Sequence, residues 1–203
     1  MLNTTAMQPT TPLTTIKDST ANPAPLGLLG FGMTTVLLNI HNAGIYELDS
    51  MILGMGIFMG GLAQVMAGYQ EWKKNNTFGA TAFTAYGMFW LSLVAIIIIP
   101  KTSFGTDLKS SETAMGWYLF MWGLFTLFMF IGTLKLNRVL QLVFFTLTVL
   151  FFLLSISDLT GNAPLKIAAG WEGILCGLLA FYGCVAQVIN EVHGKTVLPM
   201  GAK

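Results

Sequence analysis

The sequence predicts an all-α integral membrane protein with six transmembrane helices and both termini in the cytoplasm. Its 203 residues are 54% hydrophobic and 9% charged, whereas soluble domains carry about 25% charged residues. A helix needs roughly 20 mostly apolar residues to cross the hydrocarbon core of a bilayer. Six segments meet or approach this length, at residues 24–44, 51–70, 78–99, 113–134, 139–156 and 165–190. These segments take up most of the chain and leave no room for a separate soluble catalytic domain.

The predicted transmembrane domain covers residues 22–194, with a cytoplasmic tail on either side. Residues 1–21 are rich in threonine, and only Lys17 and Asp18 are charged. No apolar stretch follows a basic region there, so this segment is predicted to be a disordered tail rather than a signal peptide. Residues 195–203 form the second predicted tail.

The distribution of lysine and arginine predicts the orientation of the helices, because these residues favour cytoplasmic loops. Seven of them fall on the side that holds both termini, namely Lys17, Lys73, Lys74, Lys135, Arg138, Lys195 and Lys203. Three fall on the other side, namely Lys101, Lys109 and Lys166. Both termini are therefore predicted to lie in the cytoplasm.

Residue patterns typical of catalysis, cofactors and metals are missing from the sequence. It has no phosphate-binding glycine loop followed by lysine, no paired histidines for zinc and no nucleophile elbow. Cys176 and Cys184 fall in one predicted helix and are interpreted as small packing residues. No basic run indicates nucleic-acid binding. We therefore expect no enzymatic activity, cofactor, metal or nucleic-acid partner.

The first, third and fifth predicted helices begin at the same face of the membrane, so depths along them can be compared. Phe31, Tyr86 and Leu147 lie eight or nine residues into these helices, which is about 12 Å along each axis. Three bulky side chains are therefore predicted at one level of the membrane. A core or lipid-facing position is the ordinary interpretation of Phe31 and Leu147, and the shared depth is the argument for a constriction.

Polar side chains inside the predicted helices are the next group of candidate functional residues, because hydrocarbon offers them no partner. Most are neutral hydrogen-bond donors, which suits the binding of a small anion or acid. A threonine in a membrane helix more often bonds a carbonyl of its own helix, whereas a primary amide has too many groups to satisfy alone. The polar candidates for a pathway are Thr34, Asn39, Gln64, Thr84 and Gln141.

Glu172 is the only carboxylate clearly within a predicted helix, since it lies in the segment at residues 165–190. An ionisable residue inside the membrane is a functional-site hypothesis by default, and Glu172 is a candidate proton carrier. The alternative is that its side chain reaches an outer aqueous vestibule or a lysine such as Lys166 and only adjusts the local field.

The sequence resembles the acetate uptake transporter family, which includes the bacterial succinate-acetate permeases. The family signature NPAPLGL is complete at residues 22–28. The resemblance extends through LLNIHNAG, GMGIFMGGLAQVMAG, NTFGATAFTAYGMFWLSLVAI, WGLFTLFMFIGTL, RVLQLVFFTLTVLF, AGWEGILCG and TVLPMG. It covers residues 21 to about 201, and the combination of motifs is specific.

The resemblance implies a six-helix protomer of the plasma (inner) membrane that assembles into a homohexamer, with a separate pathway in each protomer. It implies a hydrophobic constriction formed by Phe31, Tyr86 and Leu147, and a selectivity residue in the last helix at Ala180. Glu172 has no counterpart among the family hallmarks, which leaves the route of proton coupling open.

The signature also explains the start of the first helix, where Asn22 is a suitable N-cap and Pro23 is predicted at the first helical position. Unpaired N–H groups and the positive end of the helix dipole favour a carboxylate there. We expect the signature to border the cytoplasmic mouth of the pathway, through Asn22, Pro23, Ala24, Pro25, Leu26, Gly27 and Leu28.

Together these observations predict transport of acetate and succinate, either as the protonated acid or as the anion with a proton. One alternative is a passive acetate-selective anion channel, which would carry current without proton flux. A more distant alternative is a membrane sensor or scaffold that binds the acid without moving it. The expected partners are acetate, succinate, protons, membrane lipid and further copies of the chain.

Overall fold

A computed structural model of the chain describes residues 20–201. Over this range the chain is helical apart from short connections, and it contains no β-strand. Its segments are α1 (Ala24–Asn42), α2 (Ser50–Met55), a π-helical segment (Gly56–Ala63), α3 (Gln64–Lys73), α4 (Thr77–Ile98), a 3-10 turn (Ile99–Lys101), α5 (Glu112–Thr133), α6 (Arg138–Thr160) and α7 (Ala163–His193). The predicted tail at residues 1–21 lies almost entirely outside the described residues.

Six helices are long and apolar enough to cross a membrane, which confirms the predicted number of spans. α2, the π-helical segment and α3 together form one continuous span, Ser50–Lys73. α6 and α7 extend beyond the predicted apolar segments at both ends. Hydropathy identifies only the apolar part of a helix, whereas backbone hydrogen bonding continues until Gly161 and Gly194, whose φ angles of 66° and 62° end the helices.

Asparagine side chains cap the starts of three helices, and the N-cap position of α1 is Pro23 rather than the predicted Asn22. The caps of α4, α6 and α7 are Asn76, Asn137 and Asn162. α1 begins at Ala24, one residue later than predicted, but the Asn22 Oδ1 atom still accepts a hydrogen bond from Ala24 N at 3.1 Å. These caps satisfy N–H groups that have no partner within the helix.

The six spans form a ring. α1 contacts α7 on one side and the second span on the other, the second span contacts α4, and α7 is followed by α6 and then α5. Aromatic side chains close the ring between α4 and α5, since the Phe89 ring lies 5.8 Å from that of Tyr118 and 5.2 Å from that of Trp122. α1, α4 and α6 consequently alternate around the ring with the other three spans.

Small residues allow α1 and α7 to approach closely. A Cβ atom on Gly32 would lie 2.7 Å from Phe181 N and 2.8 Å from the Gly177 carbonyl oxygen. Membrane helices depend on such close packing because lipid supplies no hydrophobic force between them. The N-terminal end of α1 and the C-terminal half of α7 also share a hydrogen bond, from Asn22 Nδ2 to Gln187 Oε1 at 3.0 Å.

The second span contains eight π-helical residues, Gly56–Ala63. Such segments are rare and frequently occur at functional sites. Glycine leaves room here for the indole of α4, because a Cβ atom on Gly60 would lie 2.6 Å from Trp90 Cγ. The segment ends directly before Gln64, whose side chain enters the ring.

Candidate functional site

Two cavities enter the ring from opposite ends. The first, called the N-side cavity, has a volume of about 280 Å³ and lies where α1, α4 and α6 begin. Its lining near that end includes Asn22, Asn76 and Gln187. The second, called the C-side cavity, has a volume of about 190 Å³ and lies where the same three helices end. Its lining near that end includes Asn42, Asp158 and Lys166.

Phe31 and Leu147 line both cavities and therefore form the wall between them. Tyr86 lines the N-side cavity, and its ring lies 6.0 Å from the Phe31 ring between centroids. Phe31, Tyr86 and Leu147 are 6%, 3% and 3% exposed. The three residues that the sequence predicts at one depth are thus brought together at the junction of the two cavities.

Tyr86 presents its ring, rather than its hydroxyl group, to the junction. Its hydroxyl lies 2.9 Å from Thr126 Oγ1 on α5. Thr126 Oγ1 donates to the Trp122 carbonyl at 2.7 Å, so the Tyr86 hydroxyl donates to Thr126. The rings of Phe125 and Phe144 lie 5.6 Å and 6.0 Å from that of Tyr86. The junction is therefore apolar.

The C-side cavity contains polar atoms that have no hydrogen-bond partner among the described residues. They are Thr35 Oγ1 and Trp90 Nε1, on side chains that are 2% and 3% exposed. Asn39 also lines this cavity, and its Nδ2 atom donates to the Thr35 carbonyl at 2.9 Å. A buried donor without a partner is costly, so this cavity is suited to a ligand that accepts hydrogen bonds.

The connection between α1 and α2 borders the C-side cavity through Leu48, next to His41 at the end of α1. It is held by the Tyr46 hydroxyl, which donates to the Leu37 carbonyl. Burial and the nearby Asp49 carboxylate raise the pKa of Tyr46, which keeps its hydroxyl protonated as a donor. The hydrogen bond to Leu37 therefore ties this connection back to α1.

Two buried side chains with acceptor oxygens, Gln64 and Glu71, contribute to the wall of the N-side cavity. Gln64 is buried, and its Oε1 atom has no hydrogen-bond partner among the described residues. Glu71 is 3% exposed, and its Oε2 atom accepts a hydrogen bond from Asn76 Nδ2 at 2.7 Å. Both side chains line the cavity.

Glu71 was not among the predicted site residues, because the predicted second helix ended at residue 70. The structure continues this span to Lys73, which brings Glu71 inside the protein. The sequence contains one signal for the position of Glu71. Asn76 follows five residues later and caps the next helix, so the turn between the two helices brings its side chain close to Glu71.

Four predicted residues lie away from both cavities. Thr34 donates to the Gly30 carbonyl at 2.8 Å, which is the ordinary role of a threonine in a membrane helix. Gln141 donates to the Leu136 carbonyl at 3.0 Å. Thr84 packs against α3 and lines a shallow groove outside the ring. Ala180 is fully buried in the core, next to the contact of Phe181 with α1.

Only part of the signature lines the pathway. Asn22, Ala24 and Leu28 belong to the N-side cavity. Gly27 packs against the Phe83 ring, where a Cβ atom would overlap the ring. Pro23, Pro25 and Leu26 are not among the lining residues, and Leu26 is exposed on the outer surface. The signature therefore both positions α1 and contributes to the mouth of the cavity.

Glu172 lies on α7 and lines neither cavity. Both of its carboxylate oxygens are buried without a hydrogen-bond partner among the described residues. One turn further along, Cys176 Sγ lies 3.7 Å from the Val143 carbonyl oxygen of α6. The predicted alternative of a pairing with Lys166 is wrong, because Lys166 Nζ lies 3.3 Å from Asp158 Oδ1.

Comparison with known proteins gives consistent matches over nearly the whole chain. The sequence profile of the GPR1/FUN34/yaaH family matches residues 4–201. The succinate-acetate/proton symporter SatP of Escherichia coli K12 is 60% identical over 89% of this chain and 95% of its own length. Acetate permease A of Emericella nidulans is 32% identical over 89% of this chain and 65% of its own length.

A solved structure described as the bacterial acetate channel SatP has the same fold. It superposes with a TM-score of 0.87 at 58% sequence identity, covering 90% of this chain and 99% of the compared chain. This similarity agrees with the all-helical architecture and the six spans described above.

Proposed function

The chain belongs to the GPR1/FUN34/yaaH family of membrane proteins, and we propose that it carries acetate across the membrane. The observation that carries the proposal is the pair of cavities that enter from opposite ends and meet at Phe31 and Leu147. A pathway interrupted by an apolar wall suits a small solute that can lose its hydration shell there. The names of the similar proteins, a succinate-acetate/proton symporter and an acetate permease, support this substrate class.

The acid crosses the junction in its neutral form. Moving a carboxylate anion out of water into apolar surroundings is costly, whereas acetic acid has no charge to desolvate. The apolar junction of Phe31, Tyr86 and Leu147 therefore favours passage of the acid together with its proton. In this mechanism Leu147 and Phe31 discriminate by size, and Ala180, buried where α7 packs against α1, affects selectivity through that contact.

Succinate is a second proposed substrate, and its support is the name of the E. coli relative. Its two carboxyl groups each need a proton or a hydrogen-bonding partner at the junction. We also propose that both termini of the chain lie in the cytoplasm and that six copies assemble into a homohexamer with one pathway in each protomer. Exposed aromatic side chains such as Trp117, Phe128 and Trp171 supply apolar outer surface for lipid or a neighbouring protomer.

A passive acetate channel is the second candidate function. The similar solved structure is described as a channel, whereas the similar E. coli protein is called a symporter. A continuous apolar junction is compatible with either mechanism, because both need the solute to lose water. The number of protons that move with each acetate distinguishes the two mechanisms.

The test is uptake of radiolabelled acetate into proteoliposomes that contain the purified protein, with and without an inward proton gradient. Internal pH is recorded in the same vesicles, and empty liposomes measure the leak of acetic acid through lipid. Uptake faster than in empty liposomes supports transport. Uptake that brings one proton with each acetate supports the coupled mechanism, and acetate flux without proton flux supports the channel. No uptake above the empty liposomes would contradict the proposed function.

A further inference from the structure

Glu71 is a buried carboxylate on the wall of the N-side cavity, where its Oε2 atom accepts a hydrogen bond from Asn76 at 2.7 Å. An acidic wall is unexpected in a cavity that receives a carboxylate, because two negative charges repel each other. The hydrogen bond from Asn76 fixes the carboxylate in place. The cavity therefore has an acceptor, rather than a cation, at the position that the solute must pass.

Among the described residues, the helices packed against α3 place no charged side chain beside this carboxylate. α3 contacts α4, α1 and the π-helical segment. Neither α4 nor the π-helical segment contains Asp, Glu, Lys, Arg or His. The titratable group that α4 contributes to this cavity is Tyr86, whose hydroxyl is held by Thr126. On α1 the titratable side chain is His41, which borders the C-side cavity instead.

The cations near this end of the bundle lie outside the apolar part of the cavity. Lys74 follows α3 and is the cationic group whose charge acts on Glu71. Lys73 lies over an aromatic ring of its own helix at 4.7 Å. Arg138, at the start of α6, donates to an amide oxygen of the same helix at 2.7 Å. None of the three is part of the lining of the N-side cavity.

We propose that Glu71 makes the N-side cavity reject the carboxylate anion, so that acetate crosses the junction only with a proton. This inference rests on the proposed transport function and assigns a residue to its proton coupling. An ionised Glu71 repels acetate ion but not neutral acetic acid. The apolar junction already disfavours charge, and Glu71 adds a repulsion that acts before the solute reaches Phe31 and Leu147.

The same carboxylate accepts the proton on the way out. Acetic acid that has passed the junction transfers its proton to a carboxylate oxygen of Glu71, so one O–H bond breaks in the acid and one forms on Glu71. The acetate ion then leaves into water while Glu71 is neutral and does not repel it. Glu71 returns the proton to water at the same mouth. One acetate and one proton have moved, and the reverse order carries them in the opposite direction.

Glu172 provides a matched control, since it is a second buried carboxylate in the membrane domain but lines neither cavity. Glu71→Gln keeps the volume of the side chain and an oxygen that accepts from Asn76 while removing the charge. Glu172→Gln makes the same chemical change outside the pathway. Glu71→Ala is a second neutral variant, and either neutral variant that is recovered folded is sufficient for the test.

The experiment measures initial rates of radiolabelled acetate uptake into proteoliposomes under potassium-diffusion potentials, at several values of pH. The initial rate of wild-type uptake should not depend on the membrane potential. Above the pKa of acetic acid it should fall about tenfold per pH unit, because the fraction of neutral acid falls by that factor. Glu71→Gln uptake should rise several-fold with an inside-positive potential, toward a limit of about 50-fold per 100 mV for one charge. Its pH profile should also become shallower, whereas Glu172→Gln should match the wild type.

The possible results separate this inference from the function on which it rests. Potential-independent uptake by Glu71→Gln with an unchanged pH profile would overturn the role of Glu71. The same is true if Glu172→Gln, rather than Glu71→Gln, admits the anion. Potential-driven uptake by the wild-type protein would also overturn it but would leave acetate transport standing. No uptake by the wild-type protein would overturn both.

Discussion

The two cavities both border α1, α4 and α6 but differ in the buried polar groups on their walls. The C-side cavity contains groups that can donate hydrogen bonds, Thr35 Oγ1 and Trp90 Nε1, and the described residues provide no partner for either. The N-side cavity contains acceptors, the Glu71 carboxylate and the Gln64 Oε1 atom. Donors stabilise a carboxylate anion, whereas acceptors stabilise the O–H group of the neutral acid. Of these four buried groups, the pair on the C-side therefore suits the anion and the pair on the N-side suits the neutral acid.

This contrast depends on the wall between the cavities. If the junction were open, water would connect both sides and each polar group could exchange partners with bulk solvent. Phe31 and Leu147 keep the two environments apart. Removing part of that wall should therefore abolish the difference between the two cavities most completely.

Leu147→Ala should have the largest effect, because it joins the two cavities. We expect the preference for acetate over lactate to fall about tenfold or more, since a fitted apolar pocket discriminates by about 10- to 200-fold per methylene. Competition between the two labelled acids in proteoliposomes measures the ratio. Leu142→Ala is the matched control, because Leu142 lies on the same helix with its side chain exposed. An unchanged ratio in Leu147→Ala would show that the junction is assigned to the wrong residues.

Trp90→Phe should have an intermediate effect on transport, and it tests whether the C-side cavity donates a hydrogen bond to the solute. It removes a buried N–H donor that has no partner among the described residues. Loss of one hydrogen bond to the solute, about 1 kcal/mol, should weaken acetate affinity about fivefold, measured as the KM for uptake from the C-side. The melting temperature should stay the same or rise, because a buried unpaired donor is also removed. Trp117→Phe changes an exposed indole and should leave KM unaltered.

Tyr86→Phe should have the smallest effect on transport. The lost hydroxyl bonds to Thr126 on α5 and not to the pathway, so the uptake rate should remain within about twofold of the wild type. The free energy of unfolding should fall by about 1 kcal/mol, the usual contribution of one such hydrogen bond. Uptake and detergent unfolding of the same preparation test both parts. A large loss of uptake with unchanged stability would mean that the hydroxyl contacts the solute.

The sequence was sufficient to predict depth along the helices. Phe31, Tyr86 and Leu147 could be placed at one level because every α-helix rises by about 1.5 Å per residue from a recognisable start. Asparagine residues marked those starts, and an error of one residue at Ala24 shifts the depth very little. The predicted number of spans followed from composition for a similar reason, since length and apolarity alone decide whether a segment can cross.

Rotation about each helix axis could not be predicted in the same way. Thr84 and Gln141 have the depth and chemistry of pathway residues, but Thr84 faces α3 and Gln141 bonds a carbonyl just before the start of its own helix. Which face of a helix points inward depends on packing against neighbours, and nearly every face of these helices is apolar. Glu71 was missed because hydropathy declines before the helix ends.

The α1 and α7 contact, in which backbones touch through Gly32 and Gly177, also has a consequence for biosynthesis. α1 leaves the ribosome first and α7 last, so the most closely packed partner of α1 is made only when synthesis of the bundle is nearly finished. Until then one side of α1 has no neighbouring helix, and the ring is open there. Nascent chains that stop before α7 should therefore remain open intermediates, and the solute pathway closes as a unit with the final helix.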